Sequence, residues 1–516
     1  MEPKNNLQQD NGFFGQPAGL QTLFFTEMWE RMSYYGMRAL LVLFMTAALQ
    51  DGGLAMNVAT ATAIYGLYTG AVYFMGLPGG WIADRLIGGQ RATWYGGIVI
   101  MCGHIVLAIP SESSFFLGLI LVVLGTGMLK PNISALVGQL YDDGDDRRDA
   151  GYTLYYMGIN IGSLIGYLVT GYLMENVGWH WAFGAAAVGM FFGLVQYRMT
   201  LPKLGSVGQE APKPLSDNGR RLSWMVIIAF LVGLGVVFVA TSTGAMTIDP
   251  VAIAQYVAAA ATIVFFVYYL SIFLFGKLTK NEAKRLGALF LVCIASICFW
   301  AGFEQAGSSL NLFARDLTDR MVGSFEIPTT WFQMLNSGFL IALSPFFAAL
   351  WVNLTKRMIN PSYGFKSALG LIIMASGFIL MFFASQAAAS GMKVSPNWLV
   401  AVYFLHTVGE LCLSPVALSA VSKLAPKRMA GQMMGIFVLT YSIGSLLAGL
   451  IAGNLDPENT STMPDMYMQI TLFGVGVGVV VFFLALKTRK WEALAGQPDP
   501  EHVAINANEP VKQDKA

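Results

Sequence analysis

Residues 222–245 read LSWMVIIAFLVGLGVVFVATSTGA, a run without a single Asp, Glu, Lys or Arg. As a helix that rises about 1.5 Å per residue, such a run crosses a hydrocarbon core about 30 Å thick. Comparable runs recur along almost the whole chain of 516 residues, of which 55% are apolar and 12% are charged. An ordinary soluble protein has about 25% charged residues. The sequence therefore predicts an all-α polytopic membrane protein.

About fourteen such spans are predicted when the sequence is divided at its charged residues and at its Pro and Gly clusters. Their centres lie near residues 35, 70, 100, 123, 162, 189, 232, 264, 296, 341, 376, 408, 440 and 477. An even number of spans places both termini on the same side of the membrane. With that side as the cytoplasm, about 25 of the 31 basic residues fall in cytoplasmic loops and tails, as the positive-inside rule requires. We therefore expect both termini in the cytoplasm.

The polar stretch 201–221 contains three prolines and indicates a linker, with six spans before it and eight after it. The first two of the eight carry no charged residue, so we expect an accessory hairpin outside a six-plus-six core. The predicted organisation is a cytoplasmic N-terminal tail (1–19), an N-terminal six-helix bundle (20–200), a cytoplasmic linker (201–221), an accessory transmembrane hairpin (222–280), a C-terminal six-helix bundle (281–490) and a cytoplasmic tail (491–516).

The first span contains the densest group of charges, EMWERMSYYGMR at residues 27–38. Ionisable groups inside spans cost several kcal/mol and normally face a protein interior or a water-filled cavity. At about 100° per residue, six side chains share one face of this helix. They are Glu27, Glu30, Arg31, Tyr34, Tyr35 and Arg38. Two carboxylates beside Arg31 leave one negative charge uncompensated, which predicts a proton acceptor; the alternative is that Glu30 and Arg31 only neutralise one another.

Other polar residues inside spans divide by charge between the two halves. The first half contributes Arg38 and Lys130, and the second contributes Glu304 and Glu410. A cavity between the halves would then be cationic at one wall and anionic at the other, which suits a small zwitterion. Its carboxylate would meet the basic residues, and its ammonium would meet Glu410 together with two amide side chains, Asn160 and Asn336. The alternative for Lys130 is an interfacial side chain that reaches the membrane surface.

The loop between the second and third spans reads GGWIADRLIGGQR at residues 79–91. Small residues permit close helix approach, and Asp84 can pair with Arg85 or Arg91 across the cytoplasmic helix ends, which would latch one conformation. The stretch resembles the loop motif of the major facilitator superfamily, whose fold is two six-helix halves that rock about a central site.

Further motifs resemble those of the proton-dependent oligopeptide transporters, the POT or PTR2 peptide transporter family of that superfamily. They are Glu27-x-x-Glu30-Arg31 followed by residues 34–38, YYGMR; residues 127–132, GMLKPN; residues 155–163, YYMGINIGS; Trp331-Phe332-Gln333-x-x-Asn336; and Gly409-Glu410-x-x-x-Ser414-Pro415. The resemblance covers nearly the whole chain, and the extra hairpin is typical of bacterial members. Two departures are Met32, where an aromatic residue is common, and the lack of the second-span histidine found in animal relatives.

The resemblance implies a proton-coupled symporter that imports di- and tripeptides by alternating access, with broad side-chain specificity. The implied roles are proton coupling by Glu27, Glu30, Arg31 and Glu304; binding of the peptide carboxylate by Arg38 and Lys130; binding of the peptide amine by Glu410, Asn160 and Asn336; and peptide contacts by Tyr34, Tyr35, Tyr73 and Trp300. Glu304 would pair with Lys130 in one gating state. The three tyrosines have an alternative role as packing aromatics.

Several function classes are disfavoured by the sequence. A net charge of +1 leaves no basic surface for nucleic acid. No Gly-x-Ser-x-Gly elbow, His-Glu-x-x-His helix or phosphate loop is present, so we expect no enzyme, no metal and no cofactor besides the coupling proton. The expected partners are peptides, protons and lipid, in the inner membrane of a bacterium. A superfamily transporter of nitrate, a drug or a sugar is the main alternative, and a passive channel is another.

Overall fold

The computed structural model describes residues 12–142, 145–357, 361–455 and 460–495. This part of the chain is almost entirely helical, and each of the fourteen predicted centres falls inside a long helix, which confirms the all-α fold. The helices are α1 (Gly19–Thr46), α2 (Val58–Ile82), α3 (Gly89–Leu107), α4 (Glu112–Gln139), α5 (Arg147–Asn176), α6 (Trp179–Thr200), α7 (Asp217–Ser242), α8 (Pro250–Phe275), α9 (Lys280–Phe303), the short α10 (Ser309–Asp316), α11 (Trp331–Lys356), α12 (Tyr363–Ala388), α13 (Asn397–Leu424), α14 (Ala430–Ala452) and α15 (Met463–Glu492). Most of the predicted tails lie outside the described residues.

Eleven helical segments in these ranges are long and apolar enough to cross a membrane by length and composition alone. Helix α1 is not among them, because its inner face carries Glu27, Glu30, Arg31 and Arg38, all buried. A helix of 28 residues is nevertheless about 42 Å long, more than enough to cross the hydrocarbon core. Its charges are therefore accommodated by neighbouring helices and not by lipid.

Two helical bundles form the body of the protein. In the first, α1 packs against α5 and α6, and α3 packs against α4; in the second, α12 packs against α13 and α15. The bundles meet where α2 contacts α14 and where α5 contacts α11. Close approach depends on small residues, since a Cβ added at Gly79 of α2 would collide with the backbone of Gly127 in α4.

The accessory hairpin consists of α7 and α8. Helix α7 has no buried residue, whereas α8 packs against α14 and α2. The hydroxyl of Tyr269 in α8 donates a hydrogen bond to Leu286 O at 2.7 Å, which ties the hairpin to α9. Helix α7 begins at Asp217, inside the stretch predicted as linker, because the Ser216 side chain caps its first turn.

The segment before α7 is folded against the first bundle. The Gln90 amide donates hydrogen bonds to Gly205 O at 3.1 Å and to Val207 O at 2.8 Å, and Lys213 N donates to Asp84 O at 3.1 Å. The linker therefore has a fixed position at the end of α2 and the start of α3.

We call the end of the bundle where α1 begins and α15 ends the terminus side, and the opposite end the far side. On the far side, an antiparallel pair of two-residue strands, β1 (Met321–Val322) and β2 (Phe325–Glu326), lies between α10 and α11. Arg320 Nη1, just before β1, donates to Glu175 Oε1 of α5 at 2.8 Å, and Thr329 Oγ1 donates to the same oxygen at 3.0 Å. Because Glu175 belongs to the first bundle, these bonds hold the halves together on the far side.

Candidate functional site

The predicted charge cluster of α1 is formed in the structure. Arg31 Nε lies 3.2 Å from Glu27 Oε1 and makes a closer hydrogen bond to Glu30 Oε2. All three side chains are buried. Three of their polar atoms, Glu27 Oε2, Glu30 Oε1 and Arg31 Nη2, have no hydrogen-bond partner among the described residues. One guanidinium thus faces two carboxylates, so protonation of one carboxylate would balance the charge of the cluster.

Aromatic rings surround the guanidinium groups of this helix. Arg31 Cζ lies 4.9 Å from the ring centroid of Tyr34 and 5.8 Å from that of Tyr35. Arg38 Cζ lies 5.3 Å from the centroid of the same Tyr35 ring. At these distances the rings and guanidinium groups make cation–π interactions, which partly replace the lost hydration of the buried cations. Tyr34 and Tyr35 therefore stabilise the arginines in this conformation, in addition to any contact with a substrate.

Arg38 forms an ion pair with Glu304 across the interface between the halves. Arg38 Nη1 lies 3.2 Å from each oxygen of Glu304, and the hydroxyl of Tyr65 donates to Glu304 Oε2 at 3.2 Å. Helix α9 ends at Phe303, and residues 304–307 continue as a 3-10 turn that points Glu304 toward the first bundle. The resemblance predicted Lys130 as the partner of Glu304 in one gating state; in this conformation the partner is Arg38.

Tyr65 was missed by the sequence analysis, although a signal exists. Thr62, Tyr65 and Thr69 recur at spacings of three and four residues along an otherwise apolar helix, and all three are buried. That spacing places them on one face of α2, which indicates a polar face turned toward the protein interior.

Lys130 lies on an aromatic wall. Its Nζ is 4.6 Å from the ring centroid of Tyr73, which stacks on Tyr441 at 5.4 Å. Tyr441 in turn packs against Trp300 in a T-shaped arrangement, with ring centroids 4.7 Å apart. Lys130 is only half-buried, and it has no ion pair in the ranges that the structure describes. The predicted contact residues Tyr73 and Trp300 are thus brought together with Lys130, and Tyr441, which the sequence did not single out, joins them.

Glu410 on α13 is oriented by an amide of α11. Asn336 Nδ2 donates to Glu410 Oε2 at 2.9 Å and to Thr407 Oγ1 at 3.1 Å. Asn160, the third residue predicted for this subsite, donates its amide to Tyr156 O of its own helix at 2.9 Å. The structure therefore joins Glu410 with Asn336, and it leaves Asn160 without a hydrogen bond to either of them.

Outside the Glu27, Glu30 and Arg31 cluster, two groups of opposite charge at the interface have no ion-pair partner among the described residues. The positive charge of Arg38 and the negative charge of Glu304 cancel, whereas Lys130 and Glu410 have no ion-pair partner in the described part of the chain. Lys130 belongs to the first bundle and Glu410 to the second. A molecule with one carboxylate and one ammonium group could neutralise both.

The predicted loop latch is not closed in this conformation. Arg85 Nη1 donates to Lys213 O at 3.4 Å, so it contacts the linker backbone and not a carboxylate. Within the described ranges, Asp84, Arg85 and Arg91 form no ion pair, and Asp84 and Arg91 are exposed. The part of the chain that the structure describes contains no group of three or more His, Cys, Asp or Glu residues that could hold a metal ion.

Comparison with known proteins agrees with this architecture. The family described as PTR2, the POT family, matches residues 90–467. The peptide transporter YePEPT of Yersinia enterocolitica is 41% identical over 503 residues, which cover 95% of this chain and 98% of the relative. A di-/tripeptide transporter of Lactococcus lactis subsp. cremoris is 35% identical over 497 residues, covering 93% of this chain and 97% of the relative. A crystal structure of a peptide transporter POT in complex with sulfate superposes with a TM-score of 0.87 at 38% identity, covering 95% of this chain and 99% of the other.

Proposed function

The chain belongs to the POT family, and we propose that it is a proton-coupled symporter that imports di- and tripeptides by alternating access. The observation that carries the proposal is the pair of uncompensated charges, Lys130 in one half and Glu410 in the other. Peptides at neutral pH carry one carboxylate and one ammonium group at their ends, so a peptide supplies both missing partners.

Broad side-chain specificity follows from this mode of binding. All di- and tripeptides share charged termini and differ in their side chains, so a site that fixes the termini discriminates weakly between peptides. The carboxylate binds Lys130, and the ammonium group binds Glu410, which Asn336 holds in position at 2.9 Å. Tyr73 and Trp300 provide an apolar wall for side chains. Arg38 joins the carboxylate site only in a state in which its ion pair with Glu304 is broken.

Proton coupling is assigned to the Glu27, Glu30 and Arg31 cluster and to Glu304. Protonation of Glu304 weakens its ion pair with Arg38, which allows the far side to open and a peptide to enter. Peptide binding then allows the far side to close and the terminus side to open, and release of the proton there restores the ion pair. Each pH unit contributes about 1.4 kcal/mol per proton, and each 100 mV about 2.3 kcal/mol per charge. These amounts are sufficient for appreciable accumulation of peptide.

The proposed location is the inner membrane of a bacterium, with both termini in the cytoplasm. The support is the excess of Lys and Arg in loops on the terminus side. The far side is then extracellular or periplasmic, and the structure corresponds to a state closed on that side. The proposed cycle requires no catalysis, and it needs no cofactor besides the coupling proton.

The test is uptake of labelled dialanine into proteoliposomes, with and without an inward proton gradient. We expect gradient-driven accumulation by the unmodified protein. Glu30→Gln should abolish accumulation and retain exchange of internal for external peptide, whereas Glu410→Ala should abolish both. Glu112→Gln, at an exposed carboxylate at the start of α4, is the matched control and should change neither. Absence of dipeptide movement under any gradient would refute the peptide assignment and favour another small substrate.

A further inference from the structure

The buried carboxylate of Glu27 has a neighbour on α5 that the proposed cycle does not use. Tyr155 lies beside the Glu27 carboxylate, whose Oε2 has no hydrogen-bond partner among the described residues. Tyr155 is buried, and it lies on the α1-facing side of α5, because Gly158, one turn further along, packs against Phe24. A hydroxyl group that can both accept and donate a proton is therefore close to the buried Glu27 carboxylate.

The Tyr155 hydroxyl is also bonded to a group nearer the terminus side. Its oxygen lies 3.1 Å from Ser134 Oγ of α4. Ser134 Oγ in turn donates to Lys130 O at 3.2 Å. Either hydroxyl can donate in the bond between them, so the Tyr155 and Ser134 pair can be oriented to pass a proton from Glu27 toward Ser134.

The position of Ser134 is suitable for the last group of a hydrogen-bonded proton relay that begins at Glu27. Ser134 is half-buried, whereas Glu27 and Tyr155 are buried. Glu27 lies eight residues into α1 from Gly19, about 12 Å from the terminus-side end of that helix. Ser134 lies five residues from the last residue of α4, about 7.5 Å from the same side. The hydroxyl pair therefore leads from the buried cluster to a less buried position nearer the terminus side.

We propose that Tyr155 and Ser134 form the route by which the proton leaves the Glu27, Glu30 and Arg31 cluster toward the terminus side. In this step the protonated Glu27 gives its proton to Tyr155 Oη while the proton of Tyr155 passes to Ser134 Oγ, and the Ser134 hydroxyl, turned away from Lys130 O, gives its own proton to water. Each hydroxyl gains one proton and loses one, so both end neutral and the cluster regains its negative charge. The inference rests on the proposed symport, because it assigns an exit for the coupling proton.

Several charged groups surround the donor and set the direction of transfer. Glu30 and Arg31 of α1 adjoin Glu27, and Lys130 of α4 is close enough to act on both carboxylates. The positive charges of Arg31 and Lys130 favour the deprotonated form of Glu27, so they favour release of its proton. Peptide binding to Lys130 reduces this effect, so departure of the peptide favours departure of the proton.

The test compares Tyr155→Phe with Tyr152→Phe in proteoliposomes. Both changes remove one hydroxyl group near Ser134. Tyr152 donates to the backbone oxygen of Ser134 at 3.3 Å, so its hydroxyl is not part of the proposed proton relay. We expect Tyr155→Phe to slow gradient-driven dialanine uptake by about tenfold, less than the loss of a full acid–base group because water can replace the hydroxyl in part. Peptide counterflow, which needs no net proton movement, should stay within about twofold, and Tyr152→Phe should change neither rate. Equal loss of both rates in Tyr155→Phe, or no loss in uptake, would overturn the inference.

A second measurement separates this inference from the proposed function. After a rapid pH increase, the infrared band of protonated carboxyl groups reports proton release from the protein in lipid nanodiscs without any peptide. We expect the release phase that disappears in Glu27→Gln to be about tenfold slower in Tyr155→Phe and unchanged in Tyr152→Phe. An unmodified protein that moves no peptide would refute the symport proposal alone, whereas an unchanged release rate in Tyr155→Phe would refute the relay.

Discussion

Replacement of Glu175 by glutamine tests whether the far-side contacts hold the two halves together. Glu175 Oε1 accepts hydrogen bonds from Arg320 Nη1 at 2.8 Å, Thr329 Oγ1 at 3.0 Å and Thr329 N at 3.2 Å. The substitution keeps an oxygen that can accept from Thr329, and it removes the negative charge that faces Arg320. Because Glu175 belongs to the first bundle and the other two residues belong to the second, the loss falls on the state closed at the far side.

The magnitude follows from the kind of bond that is lost. A hydrogen bond to a charged group contributes about 1.5–3 kcal/mol, and a neutral one contributes about 0.5–1.5 kcal/mol. The Glu175 side chain is 29% exposed and the Arg320 side chain 9%, so solvent screening places the difference near the low end. We expect a loss of about 1 kcal/mol, which changes the ratio of closed to open states roughly fivefold.

The assay is a distance distribution between spin labels on the two halves, measured by pulsed electron paramagnetic resonance. Suitable positions are Leu49 and Met392, which are each 72% exposed in far-side loops of the first and second halves. Both are changed to cysteine after the native cysteines have been replaced by alanine. Glu175→Gln should raise the population ratio of the longer to the shorter distance by about fivefold.

The matched control is Glu326→Gln. Glu326 also pairs with Arg320, at 2.7 Å, but both residues belong to the same half, so this bond does not join the bundles. Its loss should leave the distance distribution unchanged. The reasoning is refuted if Glu175→Gln leaves the distribution unchanged, or if Glu326→Gln changes it by as much.

Three further predictions address packing, substrate binding and the linker. Gly79→Ala should lower stability by about 1–3 kcal/mol through overpacking against α4, seen as a lower Tm in detergent, whereas Gly76→Ala, where a Cβ meets nothing within 4 Å, should not lower it; equal Tm values for both would contradict this. Asn336→Ala should raise the KM for dialanine exchange about tenfold, because the binding carboxylate loses the amide that orients it, and an unchanged KM would argue against that role. Gln90→Ala removes two hydrogen bonds to the linker, about 2 kcal/mol, and should speed limited tryptic cleavage there; an unchanged rate would mean that other contacts hold the linker.

The sequence was sufficient for the helices because of what a membrane demands of a chain. Without water in the hydrocarbon core, every backbone N–H and C=O group must be paired within the segment, so an apolar run of span length has to be a helix. All fourteen predicted centres accordingly lie inside helices. The boundary before α7 was placed a few residues late, because the Ser216 cap and the polar first turn of α7 are indistinguishable from linker by composition.

The sequence also predicted the α1 cluster, for a reason of geometry. Residues three and four apart lie on the same face of a helix, so the contacts of Arg31 with Glu27 and Glu30 are local. Contacts between distant segments were harder to predict from the sequence. Tyr441 has no charge and lies in an apolar helix, so nothing in its immediate sequence singles it out.

The sequence by itself thus determined the all-helical membrane fold, the family and the set of charged residues that cannot face lipid. Only the tertiary structure decided which of these charges are neutralised. Arg38 and Glu304 are 266 residues apart, and they meet because α9 breaks at Phe303 and because the halves are closed on the far side. Their pairing leaves Lys130 and Glu410 without ion-pair partners in the described ranges. The physical reason is that Coulomb energy depends on the distance between groups, and that distance is set by how the two bundles pack.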